Sequence, residues 1–213
     1  MSGVTRWWWV RHAPVTTNEG RIYGQDDPPC DCGNGAVFES LARRLPKDAV
    51  WITSHLQRTH QTAAAIVAAG LPGPERFPGP GSVAEPAFAE QHFGIWQGMR
   101  HSELPALLGD AYHRFWLAPA QMAPEGGESF TDVMSRVRQS IHDHGAVSAG
   151  RDIIAIAHGG TIRAALAEAL DLTPETALAF AIGNCSLTVL ERHGGLVGNE
   201  HPWRVVCVNQ PAV

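Results

Sequence analysis

The sequence predicts an α/β protein in which a mostly parallel central sheet lies between two layers of helices. Segments typical of strands alternate with segments typical of helices, which is the pattern of this class. The segment Arg151–Ala157 is apolar almost throughout, as strands covered on both faces are. The length of 213 residues corresponds to one domain. We therefore expect one three-layer α/β/α domain over residues 1–213, with an irregular helical cap inserted at about residues 91–128.

The first half of the chain is expected to contain two strand–helix units. Arg6–Arg11 is aromatic and β-branched, which favours a buried strand. Asn34–Leu45 repeats apolar residues four positions apart and is expected to be helical. Ala49–Thr53 is typical of a short strand, and the alanine-rich segment Gln57–Ala69 favours a helix. Gly70–Gly81 is rich in glycine and proline, which predicts a surface loop.

The second half begins with an irregular stretch and ends with regular elements. Phe88–Gly127 has poor periodicity, with short helical pieces predicted at Glu103–Leu108 and Ala111–Trp116. Ser129 with Asp132 resembles a capping box, and apolar residues at helical spacing follow it. The other predicted elements are the strand Arg151–Ala157, a helix that ends at Leu170, and the strands Leu187–Leu190 and Arg204–Val208.

Composition excludes several classes of protein. Sixteen Lys and Arg against 21 Asp and Glu give a net charge of −5, which argues against a nucleic-acid partner. The apolar run Trp7–Val10 is too short for a signal peptide, and no segment is long enough to cross a membrane. We expect a cytoplasmic protein in which all four cysteines are reduced: Cys30, Cys32, Cys185 and Cys207.

Histidine and arginine side chains follow the predicted strands, where ligands of α/β sheets bind. His12 follows the first strand and His158 follows Arg151–Ala157, so both should lie at the same edge of the sheet. His158 also opens a glycine-rich turn into a helix, whose N-terminus attracts anions. Arg11, Arg58 and Arg21 would add positive charge to this place. Because arginine binds two oxygens at once, the inferred ligand is a phosphate group.

These residues belong to motifs that span most of the chain and resemble those of the histidine phosphatase superfamily, which includes the cofactor-dependent phosphoglycerate mutases. The motifs are Arg11-His12-Ala13, Asn18-x-x-Arg21-x-x-Gly24, Ser54-x-Leu-x-Arg58-Thr-x-x-Thr62, Glu90-x-x-Phe93-Gly94-x-Trp96-x-Gly98, Pro124-Glu-Gly-Gly-Glu128-Ser129 and Ala157-His158-Gly-Gly-x-Ile162-Arg163. Three positions depart from the family pattern: Ala13 stands for the usual glycine, Pro14 for a frequent glutamate and His55 for the usual proline. The departure at Pro14 affects the choice of substrate more than the chemistry.

The resemblance implies a catalytic role for five residues. His12 would be the nucleophile and would form a phosphohistidine. Arg11, Arg58 and His158 would bind the phosphoryl oxygens as negative charge spreads over them. Glu90 would be the general acid for the leaving oxygen and then the base for the hydrolytic water.

Other residues would bind substrate or compete for a role. Asn18 and Arg21 would line the rim of the site, and Gly159 would offer its backbone to the substrate. Glu85 and Glu128 are alternatives to Glu90 as the acid. Neither a metal nor a cofactor is expected, because no histidines or cysteines have the spacing of metal ligands.

The resemblance therefore implies a metal-independent phosphomonoesterase that hydrolyses a small phosphorylated metabolite. Candidate substrates are sugar phosphates, nucleotide-pathway monoesters and α-ribazole phosphate. A phosphoglycerate mutase, a non-catalytic phosphate-binding module and a metal-dependent hydrolase are the alternatives, and a homodimer is an open possibility. We expect Arg163 on a helix face or behind the site, and the tryptophans Trp7–Trp9 in the core beneath it.

Overall fold

The computed structural model describes residues 3–113, 117–194 and 201–213. Its six strands form one sheet in the order β3-β2-β4-β1-β5-β6. The strands are β1 (Val4–Arg11), β2 (Ala49–Thr53), β3 (Ser82–Ala84), β4 (Asp152–Ala157), β5 (Leu187–His193) and β6 (Trp203–Gln210). The helices are α1 (Gly35–Arg44), α2 (Gln57–Ala68), α3 (Leu104–Leu108), α4 (Phe130–Val147), α5 (Gly159–Leu170) and α6 (Pro174–Leu178).

The sheet is mostly parallel, as predicted. Strands β1, β2, β3 and β4 pair with one another in parallel register, and only β5 runs antiparallel to its neighbours β1 and β6. Helices cover both faces. The side chains of Ile153 and Ala155 pack in the core that contains α4 and α5, whereas Ile154 and Ile156 pack in the core that contains α1 and α2. This double burial is why β4 is apolar at every position after Asp152.

The tryptophans of β1 follow the alternation of a strand. Trp7 and Trp9 are fully buried and stack on each other with ring centroids 5.2 Å apart, and Phe88 packs edge-on against both. Trp8 lies on the opposite face and its indole N–H donates to Asp152 at 2.9 Å. The prediction that this run belongs to the core is confirmed for Trp7 and Trp9.

Helix α4 begins where the capping box predicts. The Ser129 side chain accepts the backbone N–H of Asp132, and the Asp132 carboxylate accepts the backbone N–H of Ser129. These bonds satisfy donors that would otherwise have no partner in the first turn. The helix then buries Phe130, Val133 and other residues of its apolar face against the sheet.

Three local features differ from the sequence-based expectation. The short edge strand β3 follows the predicted loop, and α6 was not predicted. The predicted helix over Ala111–Trp116 is wrong from its second residue: Ala111 ends a short 3₁₀ helix (Gly109–Ala111), Tyr112 is extended, and His113 pairs with Leu117 through two backbone hydrogen bonds. Residues 114–116 of that prediction lie outside the described residues. Within the described ranges, no helix has the length and apolar character needed to cross a membrane.

Candidate active site

The parallel pairing of β1 with β4 brings the two predicted histidines together. Arg11 lies opposite Ala157 in the register, so His12 and His158 follow directly at the carboxyl ends of neighbouring strands. Their ring centroids are 5.1 Å apart and both side chains are buried. Arg58, in the first turn of α2, is also fully buried beside them.

The environment of His12 selects one neutral form of its ring. Nδ1 lies 2.7 Å from the backbone carbonyl of Ala13, which can only accept, so Nδ1 carries the hydrogen. Burial, followed by the positive charges of Arg58 and Arg11, holds the pKa of His12 well below its usual value. A neutral ring with its hydrogen on Nδ1 has a free lone pair on Nε2. His12 therefore has the form that a nucleophile requires.

Arg58 connects the site to the loop after β1. Its Nη1 donates to the carbonyl of Asp26 at 2.8 Å and its Nη2 to that of Gly24 at 2.6 Å. The ring centroid of Tyr23 lies 4.9 Å from Cζ of Arg58, close enough for a cation–π contact. These contacts fix the guanidinium without a short carboxylate bond, since the nearest acid, Asp27, is 4.0 Å away.

Three buried nitrogens at the site form what we call the nitrogen cluster: Nε of Arg11, Nε of Arg58 and Nδ1 of His158. Within the described residues, none of the three has a hydrogen-bond partner. A buried donor left without a partner costs about 1–3 kcal/mol. An oxyanion bound among these nitrogens would remove that cost, so the arrangement favours a phosphate-like ligand.

The carboxylate of Glu90, from a distant part of the chain, lies against the N-terminus of α5, close to Arg11 of the nitrogen cluster. Its Oε1 accepts the backbone N–H of Gly160 at 3.0 Å and that of Gln91 at 3.0 Å. A Cβ atom built on Gly160 would overlap Oε1, whereas one on Gly159 would be 3.7 Å from Nε of Arg11 and 3.8 Å from Oε2 of Glu90. The position of the carboxylate therefore depends on the absence of a side chain at residue 160.

The two alternative acids are occupied elsewhere. Glu85 accepts from His144 at 2.7 Å, and Glu128 pairs with Arg136 at 2.7 Å. Burial raises the pKa of Glu85, but its bonds to the Ala87 backbone and His144 outweigh that effect and lower it overall. Neither carboxylate lines the cavity described next, whose described lining includes Glu90.

A cavity of about 210 Å³ is lined by Arg11, the residue before His12, and by Gly160, two residues after His158, while His12, His158 and Arg58 themselves are not among its described lining residues. Its lining includes Arg11, Arg21, Tyr23, Glu90 and Arg163. Several of these residues are cationic, which gives a basic cavity in an acidic protein. An anionic ligand is therefore favoured here.

The predicted binding residues divide between the cavity and its support. Arg21 lines the cavity and donates to the carbonyl of Gly98 at 2.7 Å. Asn18 is not among the described lining residues, and its amide instead donates to the carbonyl of Arg21 at 3.0 Å. Gly159 lies between Arg11 and Glu90 at the start of α5. Asn18 thus supports the loop, and Arg21 and Gly159 lie at the site.

Several residues at the site were missed or misplaced by the sequence reasoning. Ser54 contacts His158 at 2.8 Å, and Gln25 donates to the carbonyl of Glu90 at 2.9 Å. Arg163 lines the cavity itself, while its Nε donates to the carbonyl of Phe180 at 2.8 Å. Ser54 and Arg163 both occur within the quoted motifs, which was the available signal.

Across the part of the chain that the structure describes, no three His, Cys, Asp or Glu side chains are arranged to hold a metal ion. The sulfurs of Cys30 and Cys32 lie 3.6 Å apart. The sulfur of Cys30 also contacts the backbone carbonyl of Arg58 and the hydroxyl of Thr62. The hydrogen bond from Cys32 lowers the pKa of the Cys30 thiol to about 7.

The basic cavity and, next to its Arg11, two buried histidines at the carboxyl ends of a mostly parallel sheet define an α/β protein suited to binding an anion. The particular family follows from comparison with known proteins. The chain belongs to the histidine phosphatase superfamily (branch 1), because the model of that family matches residues 7–198.

Relatives with named activities support this assignment. A glucosyl-3-phosphoglycerate phosphatase of Mycolicibacterium vanbaalenii is 34% identical over 197 residues, covering 86% of this chain and 83% of that protein. A 2,3-bisphosphoglycerate-dependent phosphoglycerate mutase of Gloeobacter violaceus is 32% identical, covering 78% and 76%. A solved mycobacterial glucosyl-3-phosphoglycerate phosphatase in complex with VO3 has a TM-score of 0.75 at 26% identity, covering 96% and 98%. The chain is thus a phosphoric monoester hydrolase, as predicted.

Proposed function

We propose that this protein hydrolyses a small phosphorylated metabolite, without a metal ion, through a phosphohistidine formed on His12. The observation that carries the proposal is the neutral ring of His12, which has its hydrogen bonded at Nδ1 and its Nε2 lone pair free. The adjacent nitrogen cluster supplies partners for the oxygens of a phosphoryl group. Such preorganised partners are the main source of catalysis in phosphoryl transfer.

The first chemical step transfers the phosphoryl group to the enzyme. Nε2 of His12 attacks phosphorus, and the bond from phosphorus to the ester oxygen breaks. Arg11 and Arg58 bind the phosphoryl oxygens together with His158. Glu90, held at Gly160, gives a proton to the departing oxygen.

The second step returns the enzyme to its starting form. Glu90, now a carboxylate, accepts a proton from a water molecule as that water attacks the phosphorus of phospho-His12. The bond between phosphorus and Nε2 breaks, and inorganic phosphate leaves. The hydrogen bond from Nδ1 to Ala13 keeps the ring in place through both steps.

The arginines that line the 210 Å³ cavity favour a substrate that carries a second anionic group besides the phosphate. Arg21 and Arg163 line the cavity in addition to Arg11. Relatives of this chain are named for glucosyl-3-phosphoglycerate and phosphoglycerate, and both compounds carry a carboxylate beside the phosphate. We therefore place phosphorylated hydroxy acids and their glycosides first among the substrates. The cap, which we place at about residues 91–128 of a single domain, would cover the non-phosphate part.

Turnover of p-nitrophenyl phosphate in the presence of a strong chelator tests this proposal. The intact protein and His12→Ala are compared, with His142→Ala as a matched histidine control whose side chain pairs with Glu168 at 2.9 Å. We expect chelator-resistant activity in the intact protein and in the control, and none in His12→Ala. Activity that survives in His12→Ala, or that requires a metal, would contradict the proposal.

A panel of phosphorylated hydroxy acids then separates hydrolysis from mutase activity. The mutase relative makes phosphoryl transfer to a second hydroxyl the alternative. Release of inorganic phosphate in step with loss of ester indicates a phosphatase. Formation of an isomeric phosphoglycerate without phosphate release would indicate a mutase.

A further inference from the structure

The ring of His158, which follows β4, is hydrogen-bonded to the hydroxyl group of a residue that follows another strand, β2. Its Nε2 lies 2.8 Å from Oγ of Ser54, the residue that follows β2. Both side chains are fully buried. The other ring nitrogen, Nδ1, is buried without a hydrogen-bond partner among the described residues and belongs to the nitrogen cluster, which the proposed function assigns to the phosphoryl oxygens. Which nitrogen carries the hydrogen therefore decides what His158 offers to a substrate.

Neighbouring hydroxyl groups limit where the Ser54 hydrogen can go. Oγ of Ser54 accepts the backbone N–H of Leu56 at 3.2 Å. Thr59 has one hydroxyl hydrogen, and its shortest acceptor is the carbonyl of Leu56 at 2.8 Å. The Ser54 hydrogen then has two possible acceptors: Nε2 of His158 at 2.8 Å and Oγ1 of Thr59 at 3.2 Å. The 2.8 Å distance fits donation in either direction, so Nδ1 decides: a nitrogen that binds an oxyanion must carry a hydrogen, which leaves Nε2 of the neutral ring to accept from Ser54.

We propose that Ser54 is a positioning residue that fixes the tautomer of His158, so that Nδ1 carries the hydrogen and donates it to the phosphoryl group. This inference rests on the proposed function, because it assigns the bound group as phosphoryl. The second shell of a histidine commonly selects its tautomer in this way.

The two histidines of the site then share one tautomer and use opposite nitrogens. His12 has its Nδ1 hydrogen bonded to Ala13 and presents a lone pair at Nε2. His158 has its Nε2 lone pair bonded to Ser54 and presents a hydrogen at Nδ1. The opposite tautomer of His158 would direct a lone pair at the phosphoryl oxygens, which would repel them. Two histidines in the same tautomer thus act differently, one as a nucleophile and the other as a hydrogen-bond donor, because a different ring nitrogen of each is bonded to the protein.

The tautomer can be measured directly by NMR on protein labelled with ¹⁵N-histidine. Long-range ¹H–¹⁵N spectra distinguish a protonated Nδ1 from a protonated Nε2 at neutral pH, and His158→Asn assigns the signal. We expect His158 to carry its hydrogen on Nδ1, both in the free protein and with inorganic phosphate. A hydrogen on Nε2 would overturn the proposal. This result does not depend on activity, so it stands apart from the test of phosphohistidine chemistry.

Two variants test the consequence for the reaction. Ser54→Ala removes the hydroxyl donor, and Thr59→Val removes a neighbouring hydroxyl of the same network that the proposal does not require. Loss of one preorganised donor in a transition state costs on the order of 10²-fold in kcat. We expect Ser54→Ala to lose about 10²-fold in kcat and to shift the NMR signal of His158. Thr59→Val should keep the kcat and the His158 signal of the intact protein.

A different response of the two variants would show that His158 donates to Ser54 and does not accept from it. If Nε2 of His158 donated to Ser54, the Ser54 hydrogen would pass to Thr59, and Thr59→Val would alter the His158 signal as strongly as Ser54→Ala. That outcome would refute the proposal. If Ser54→Ala does not fold, the spectrum of the intact protein and the Thr59→Val comparison still decide it.

Discussion

Replacement of Gly160 by alanine should damage catalysis while leaving the fold intact. The new Cβ would overlap Oε1 of Glu90, which accepts the Gly160 backbone N–H at 3.0 Å. The carboxylate would have to move by about 1 Å to reach an ordinary contact distance. Because the displaced atom is the end of a flexible side chain, the shift costs little stability, and alanine gains up to about 1 kcal/mol over glycine within a helix. The melting temperature should therefore not fall.

The loss should appear in a leaving-group comparison. A displacement of about 1 Å at a catalytic group costs roughly 10²-fold in rate. An alkyl phosphate needs a proton on its leaving oxygen, whereas p-nitrophenyl phosphate needs little help. We expect Gly160→Ala to lose about 10²-fold in kcat/KM on the alkyl ester and less than tenfold on the nitrophenyl ester. Glu90→Gln should show the same pattern with a larger loss.

Gly159→Ala is the matched control on the preceding residue. Its Cβ would meet Arg11 and Glu90 only at 3.7–3.8 Å, which is ordinary contact. Its loss should be clearly smaller than that of Gly160→Ala. Equal losses in the two variants, or equal losses on both esters, would show that Glu90 does not act as the acid from this position.

Three further predictions concern charge and protonation. Arg58→Ala should lose about 10³-fold in kcat or more, because this buried arginine would bind the phosphoryl oxygens; a loss under tenfold in a folded variant would remove Arg58 from the site. The pKa values of His12 and His158 are lowered in the folded protein, so below about pH 6.5 the unfolded chain binds protons that the folded chain does not. The free energy of unfolding should therefore fall as the pH drops below about 6.5, by at most about 1.4 kcal/mol per pH unit for each ring. Unfolding in urea at pH 7.5 and pH 5 measures this, and a shallower dependence is expected in His158→Asn. Cys30, with a pKa of about 7, should react with iodoacetamide in a pH-dependent way centred near pH 7, and Cys32→Ser should slow the reaction at neutral pH; peptide mass spectrometry would reveal whether another thiol reacts first.

The parts of the fold that the sequence predicts are those with one dominant physical constraint. Strand β4 is buried on both faces, so its composition alone identifies it. The first turn of α4 is determined by a local pair of side chains, Ser129 and Asp132. Because the carboxyl ends of adjacent parallel strands must meet, the proximity of His12 and His158 follows from the topology.

Features that depend on long-range contacts could not be predicted in the same way. Strand β3 has three residues and exists because it pairs with β2. The contact between Ser54 and His158, across 104 positions of sequence, depends on how distant segments pack. Two local contacts also escaped the sequence pattern: His113 pairs with Leu117, four positions along the chain, and the amide of Asn18 donates to the carbonyl of Arg21, three positions along.

Trapping of the phosphorylated enzyme is the direct test of whether a phosphohistidine forms on His12. The intact protein would be mixed with substrate, quenched in alkali within one turnover, digested and examined by mass spectrometry for a phosphoryl group that is lost in acid and stable in base. We expect this group on the peptide that contains His12, and we expect it to be absent from His12→Ala. A phosphoryl group on another residue, or direct transfer to water with no phosphoenzyme in the first turnover, would contradict it.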